Sequence, residues 1–196
     1  MSEADPAGPH RHLFEERLDS QDILRGNFLH AKRDTVRLPD GHSATREYII
    51  HPGAVMVIPL LDDGRVVLER QFRYPMGRVM VEFPAGKLDA GEAVLDCARR
   101  ELLEETGYVA REWARAGVMH PVISYSTEFI EVWFCRGLSL QQRQLDHGEF
   151  LDVFAESPDW VLAACRDGGI TDAKTLTGTL WLQNVLSGAW KLDWRS

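Results

Sequence analysis

Residues Gly86 to Tyr108 read GKLDAGEAVLDCARRELLEETGY. A Gly-containing turn, Lys87 to Gly91, runs into Glu92–Thr106, a segment of helical composition without Gly or Pro, and Gly107 supplies a stop. At helical spacing Glu101, Glu104 and Glu105 fall on one flank, where like charges repel and cost the helix stability. A bound cation reverses that sign. A Glu-rich run is most often a solvated face, but this flank also carries Val94, Cys97 and Ala98, and the preceding Phe83-Pro84-Ala85-Gly86 turn is apolar and small. Gly86 allows close backbone approach and leaves the Ala85 carbonyl free to point at a ligand. Carboxylates plus a carbonyl make an all-oxygen site, suited to a hard ion such as Mg²⁺.

Outward from this stretch the chain reads as sheet, then helices. Val79–Phe83 is a short strand that delivers the chain to the turn. Before it, the apolar run Ala54–Leu61 predicts a strand buried on both faces, and Asp62-Asp63-Gly64 turns it into a partner over Arg65–Arg73. Strands follow near Trp113–Met119, Phe129–Phe134 and Phe150–Phe154, the last after a polar loop around Gln141–Gly148. Helices are expected at Pro158–Arg166, with Ser157 as cap, and at Asp172–Leu186. Residues 1–11 have the composition of a mobile tail. Residues 12–50, with the turn Leu38-Pro39-Asp40-Gly41-His42, predict a small antiparallel β-subdomain, and 51–196 the main domain. A sheet with helices on both sides is an α/β sandwich.

Composition sets the class. The chain has 196 residues, 44% hydrophobic and 27% charged, as expected of a soluble globular protein with a sizeable core. A net charge of -8 argues against a broad nucleic-acid surface. Cys97, Cys135 and Cys165 are odd in number and lack CxxC spacing, and read as reduced thiols of a cytoplasmic protein. No apolar run approaches the roughly 18 residues that cross a bilayer, and no signal-peptide core is seen, so no membrane partner is expected.

The stretch resembles the Nudix box, G-x5-E-x7-R-E-U-x-E-E-x-G-U with U bulky and apolar, through Gly86, Glu92, Arg100, Glu101, Leu102, Glu104, Glu105, Gly107 and Tyr108. At roughly 5–7% usage per residue type a chance match is on the order of 10⁻⁹ per window, so the signal is strong. Arg46-Glu47, His51-Pro52-Gly53-Ala54-Val55, Gln71-Phe72-Arg73-Tyr74-Pro75 and Glu82-Phe83-Pro84-Ala85-Gly86 are similar to the ADP-ribose pyrophosphatase branch. The resemblance implies a Nudix α/β/α sandwich with a mixed sheet plus a small N-terminal antiparallel β-subdomain that exchanges across a homodimer. It implies hydrolysis of a nucleotide sugar, ADP-ribose to AMP and ribose 5-phosphate, with Mg²⁺ or Mn²⁺; the alternatives are hydrolysis of another linked nucleoside diphosphate, a different sugar nucleotide or a dinucleotide, and a non-catalytic regulator that binds a nucleotide sugar. Where ADP-ribose enzymes commonly carry a proline after the box, this chain has Ile123, with Pro121 the nearest proline.

By the same resemblance the metal set is Ala85 through its carbonyl, Glu101 and Glu105, with Glu104 a further ligand or a residue supporting one. Arg100 is expected to pair with a motif carboxylate and hold its rotamer, and Glu92 to be a structural acid at the helix start. The general base is expected in the loop holding Asp146, His147 and Glu149. Glu149 is the best match, as base, metal ligand or both, and Glu128 is a weaker candidate. Arg46, Glu47 and Arg73 are expected to bind substrate, since an arginine fork suits phosphate. Tyr74 or Phe28 could stack on a base, although aromatics on strands are more often core.

Overall fold

The computed structural model describes residues 8–143, 145 and 148–196. The first seven residues of the expected tail, and Asp146 and His147 of the acidic loop, lie outside the described residues. The chain divides into two compact units: residues up to His51 with Val122–Glu128, and Pro52–Pro121 with Phe129–Ser196.

The first unit is an antiparallel meander of β1 (Glu16–Arg25), β2 (His30–Arg37) and β3 (Ser43–Ile50). Its β2–β3 turn closes through Leu38 N–H to the His42 carbonyl at 2.8 Å, with Asp40 accepting from the His42 amide at 3.0 Å. Gly41 sits at φ 90°, a conformation glycine adopts without strain. The segment Val122–Glu128 docks on the end of β3: Ile49 N–H donates to the Tyr125 carbonyl and Thr127 N–H to the Ile49 carbonyl, both at 2.9 Å. Val36 is the buried hydrophobic side chain of these strands, and Leu18, Ile23 and Leu24 of β1 stand exposed.

The second unit is a seven-stranded mixed sheet. It comprises β4 (Ala54–Leu60), β5 (Val66–Arg73), β6 (Arg78–Glu82), β7 (Ala85–Lys87), β8 (Tyr108–Met119), β9 (Ile130–Leu140) and β10 (Leu151–Glu156). The path runs β10-β5-β4-β9-β8, with β6 added to β5 and β7 to β4. β4 and β9 pair in parallel from Ala54↔Ile130 to Leu60↔Arg136, and the other pairings are antiparallel.

Period-two alternation along β4 sends its side chains into two cores. Val55 and Val57 pack with Cys97, Ala98 and Leu102 of the segment that begins with α1 (Val94–Glu101). Met56 and Ile58 pack with Val161 of α2 (Pro158–Arg166) and Leu182 of α3 (Ala173–Leu186). These side chains are fully buried, the Val, Leu, Ile and Met among them each contributing roughly 1.5–3 kcal/mol relative to exposure. The result is an α/β/α sandwich, as the sequence predicts. Ser157 caps α2 by accepting from Trp160 N–H, and Asp172 caps α3 by accepting from Thr175 N–H.

Strands β8 and β9 run longer than hydrophobicity alone predicts. In the added ends the cross-strand ion pair Arg136–Glu112 at 2.9 Å carries the ladder through charged sequence. The C-terminus also pairs with β8, Trp113 and Arg195 exchanging two backbone bonds of 2.8 Å. That cover occupies part of an edge otherwise open to association.

Candidate active site

The site grows from β7 and the helix after it. From Gly91, at φ 79°, the chain enters a turn in which Glu92 accepts from the Asp89 amide at 3.0 Å. Arg100, near the end of α1, reaches back to the same carboxylate with Nε and Nη2, both at 2.9 Å. Its Nη1 donates to Glu101 and to Glu104, again at 2.9 Å, and Nη2 also meets the Lys87 carbonyl at 3.2 Å. One guanidinium therefore ties the start of the helix to two acids near its end. The Arg100 hydrogen bonds hold the Glu92 carboxyl down to about 2.

Beyond Glu101 the helix widens. Leu102–Thr106 form a π-helical turn, closed by the Thr106 hydroxyl donating to the Leu102 carbonyl and by Gly107 at φ 76°. Regular α-helix through Thr106, the sequence expectation, thus stops one turn early. Such insertions are frequent at functional sites. Here the turn directs Glu105 inward, where it is 3% exposed and accepts from the Ala85 amide at 3.1 Å. Gly86 explains the approach of the helix to β7. A methyl group there would lie 1.9 Å from the Glu101 carboxylate, so the missing side chain is what accommodates that acid.

These acids carry charge that the interior resists. Burial pushes Glu101 up to about 7 against the pull of Arg100. Glu105 is pushed well above the usual carboxylate range, first by burial and then by Glu69, Glu101 and Glu149. Among the described residues no three His, Cys, Asp or Glu side chains converge as a ready-made cation cage. The donor chemistry nevertheless fits a hard divalent ion: under-compensated carboxylates gathered at a backbone strand.

Beside them lies a second polar group. Arg73, at the end of β5, makes a two-point contact with Glu82 of β6, Nε and Nη2 at 2.7 and 2.8 Å. Lys174 of α3 also contacts Glu82 and reaches the Asp172 cap at 3.0 Å. Burial drives the Glu82 carboxyl up, but the Arg73 fork and Lys174 outweigh it and hold the group below its usual range.

A family profile described as NUDIX domain matches residues 50–175, and one described as nucleoside diphosphate sugar hydrolase N-terminal domain matches residues 15–49. The chain belongs to the Nudix family. It is 34% identical over 173 residues to a protein of Bacillus subtilis (strain 168) named ADP-ribose pyrophosphatase, covering 87% of this chain and 94% of that one. It is 36% identical over 176 residues to a Bacillus methanolicus protein named methanol dehydrogenase activator, with the same coverage. In fold it matches a crystal structure of an ADP compounds hydrolase at TM-score 0.81 and 20% identity, over 89% of this chain and 95% of that one.

The hydrogen bonds here form two sets, Ala85 with Glu105, and Arg100 with Glu92, Glu101 and Glu104, and Gly86 is where Glu101 comes against β7. Glu149 is half-buried, and its charge acts on Glu101 and Glu105. Arg46 and Glu47 belong to the N-terminal unit, where they pair with Glu15 and Arg33 and line an open pocket with Ile123–Thr127. Glu128 is in that unit too, 3.8 Å from the His51 ring. Tyr74 and Phe28 are not core residues: they are 86% and 56% exposed, and Phe28 meets His51 edge-on.

Three polar residues of the Nudix domain escaped the sequence reading of the site: Glu69, Glu82 in a role of its own, and Lys174. The signal for Glu69 was present. A charged residue inside Val66-Val67-Leu68-Glu69, a strand paired on both edges and buried at its start, calls for an explanation that a surface residue does not.

Proposed function

We propose that this Nudix hydrolase cleaves the pyrophosphate of a nucleoside diphosphate sugar, ADP-ribose in particular, to AMP and ribose 5-phosphate with Mg²⁺ or Mn²⁺. The observation that carries this reading is the pair of acids set against the β7 backbone, Glu105 buried on the Ala85 amide and Glu101 half-buried over Gly86, both pushed above the usual carboxylate range. The name and near-full-length similarity of the Bacillus subtilis relative support the substrate.

In this reading Glu101, Glu105 and the Ala85 carbonyl hold the cation, with Glu149 as a further ligand or as the base that takes a proton from water. Glu104 supports the set through Arg100, whose Nη1 it shares with Glu101. A bound divalent ion neutralises phosphate charge, orients the attacking water and lowers its pKa. Arg73 offers a phosphate the Nη1 that Glu82 does not take, in an orientation the Glu82 fork fixes. Arg46 and Glu47 of the N-terminal unit are further candidates for substrate contact. The exposed apolar residues of β1 support a homodimer in which a second copy covers them, and three free cysteines suit a cytoplasmic enzyme.

The test is turnover of a panel of ADP-sugars, other sugar nucleotides and dinucleotides with Mg²⁺ or Mn²⁺ in ¹⁸O-labelled water. ADP-ribose is expected to be the best substrate, with label in one product phosphate. Absence of hydrolysis across the whole panel would overturn the enzyme reading, and preference for another linked diphosphate would correct the substrate.

A further inference from the structure

Glu69, the fourth residue of β5, is 0% exposed, and neither of its carboxylate oxygens has a hydrogen-bond partner among the described residues. An unpaired carboxylate in a protein interior is costly, and chains rarely keep one without a use. Alternation along β5 places Val67, Glu69, Gln71 and Arg73 on one face, and the register sets Glu69 opposite Glu82 on β6. The Oε1 of Gln71 on that face is also buried and unpartnered. The nearby cations, Arg73 and Lys174, hydrogen-bond Glu82, and Lys174 also Asp172, but neither bonds Glu69. The face therefore carries one more buried carboxylate than its cations pair with.

That surplus points towards the Nudix carboxylates. Glu69 stands opposite Glu82, three residues before Ala85 whose amide Glu105 accepts from, and on the other edge of β5 Leu151, two residues after Glu149, pairs with Gln71. Glu149 acts on Glu69 as well. The buried acid thus sits on the strand face that runs up to the group the proposed function assigns to the divalent cation, although it lies on a central strand and outside the box.

Resting on that reading, we infer that Glu69 is a positioning residue of the divalent-cation centre, whose buried negative charge raises the centre's affinity for Mg²⁺ or Mn²⁺. The charge strains the metal-free protein and is relieved when a cation binds. A carboxyl kept only for packing gives the opposite signature, since its replacement weakens the fold and leaves cation affinity alone.

The test compares full-length wild type with Glu69→Gln, of nearly the same shape and uncharged. Mn²⁺ binding is followed by electron paramagnetic resonance of the free ion without nucleotide, and Tm is measured in EDTA and in Mn²⁺. The expected result is a Kd for Mn²⁺ at least fivefold weaker in Glu69→Gln, with an EDTA Tm equal to or above wild type. A change in Kd below fivefold overturns the inference. Should Glu69→Gln fold poorly, Glu69→Ala is held to the same threshold. Wild-type protein that binds no Mn²⁺ would overturn the cation centre itself, and this inference with it, whereas a wild type that binds beside an unaffected variant removes Glu69 alone.

Discussion

Arg100 shows how much one side chain can organise. Its five donors serve Glu92, Glu101, Glu104 and the Lys87 carbonyl, so it fixes acids that would otherwise repel each other. This carries a pH signature. A carboxyl held at about 2 rather than the ordinary 4.5 stabilises the fold at pH above 4.5, and the contribution fades as pH falls towards 2. Wild-type Tm should therefore decline over that interval, and Arg100→Gln should lose this part of the slope; parallel Tm curves from pH 6 to pH 2.5 would contradict the role. The identities of these acids were legible because each has a fixed place in the box. Arg100's partners were legible only as a class, since the sequence says that a carboxylate is near but not that three are. Glu149→Gln should lower kcat for ADP-ribose by roughly a hundredfold while leaving Tm within a degree or two; an unchanged kcat would remove Glu149 from the chemistry.

At the scale of elements, the approach of α1 to β7 rests on an absent side chain. In Gly86→Ala the added methyl would displace the Glu101 carboxylate, which is the far end of a flexible chain and can move. The backbone at Gly86 is not in the left-handed region, so the fold should survive with a loss below about 1 kcal/mol. Mn²⁺ binding and turnover should instead fall at least tenfold; retention of both would show that Glu101 need not lie where it does. The elements themselves were largely readable. Ala54–Leu61 declared a strand buried on both faces, and Ser157 and Asp172 marked the starts of two helices. The π-helical turn was not readable, because no Gly or Pro marks it. Its visible partners are tertiary, the Ala85 amide for Glu105, or local, the Leu102 carbonyl for Thr106. The far ends of β8 and β9 were missed for a related reason: the Arg136–Glu112 ion pair across the strands leaves no hydrophobic period to detect.

For the whole molecule, the N-terminal unit is short of core. A three-stranded sheet whose strands bury one hydrophobic side chain, Val36, has little to hold it in isolation. The proposed homodimer answers that deficit. Light scattering should give about twice the 22.2 kDa chain mass, and Ile23→Glu should shift the population towards monomer; a wild-type monomer at micromolar concentration would contradict the dimer. Among the described residues no helix is long and apolar enough to cross a membrane. The sequence made the class of reaction readable, because the box joins residue types to spacing. Glu69 and Lys174 stayed hidden because their meaning depends on which strand and which helix face them. The central claim is that Glu101 and Glu105 of the box hold a divalent cation for pyrophosphate hydrolysis, and it is tested most directly by kcat for ADP-ribose at saturating Mg²⁺ in wild type and Glu105→Gln. The account predicts release of AMP and ribose 5-phosphate by the wild type and a fall of roughly a hundredfold or more in the variant, with Tm in EDTA unchanged or higher. A variant that turns over at the wild-type rate would contradict it.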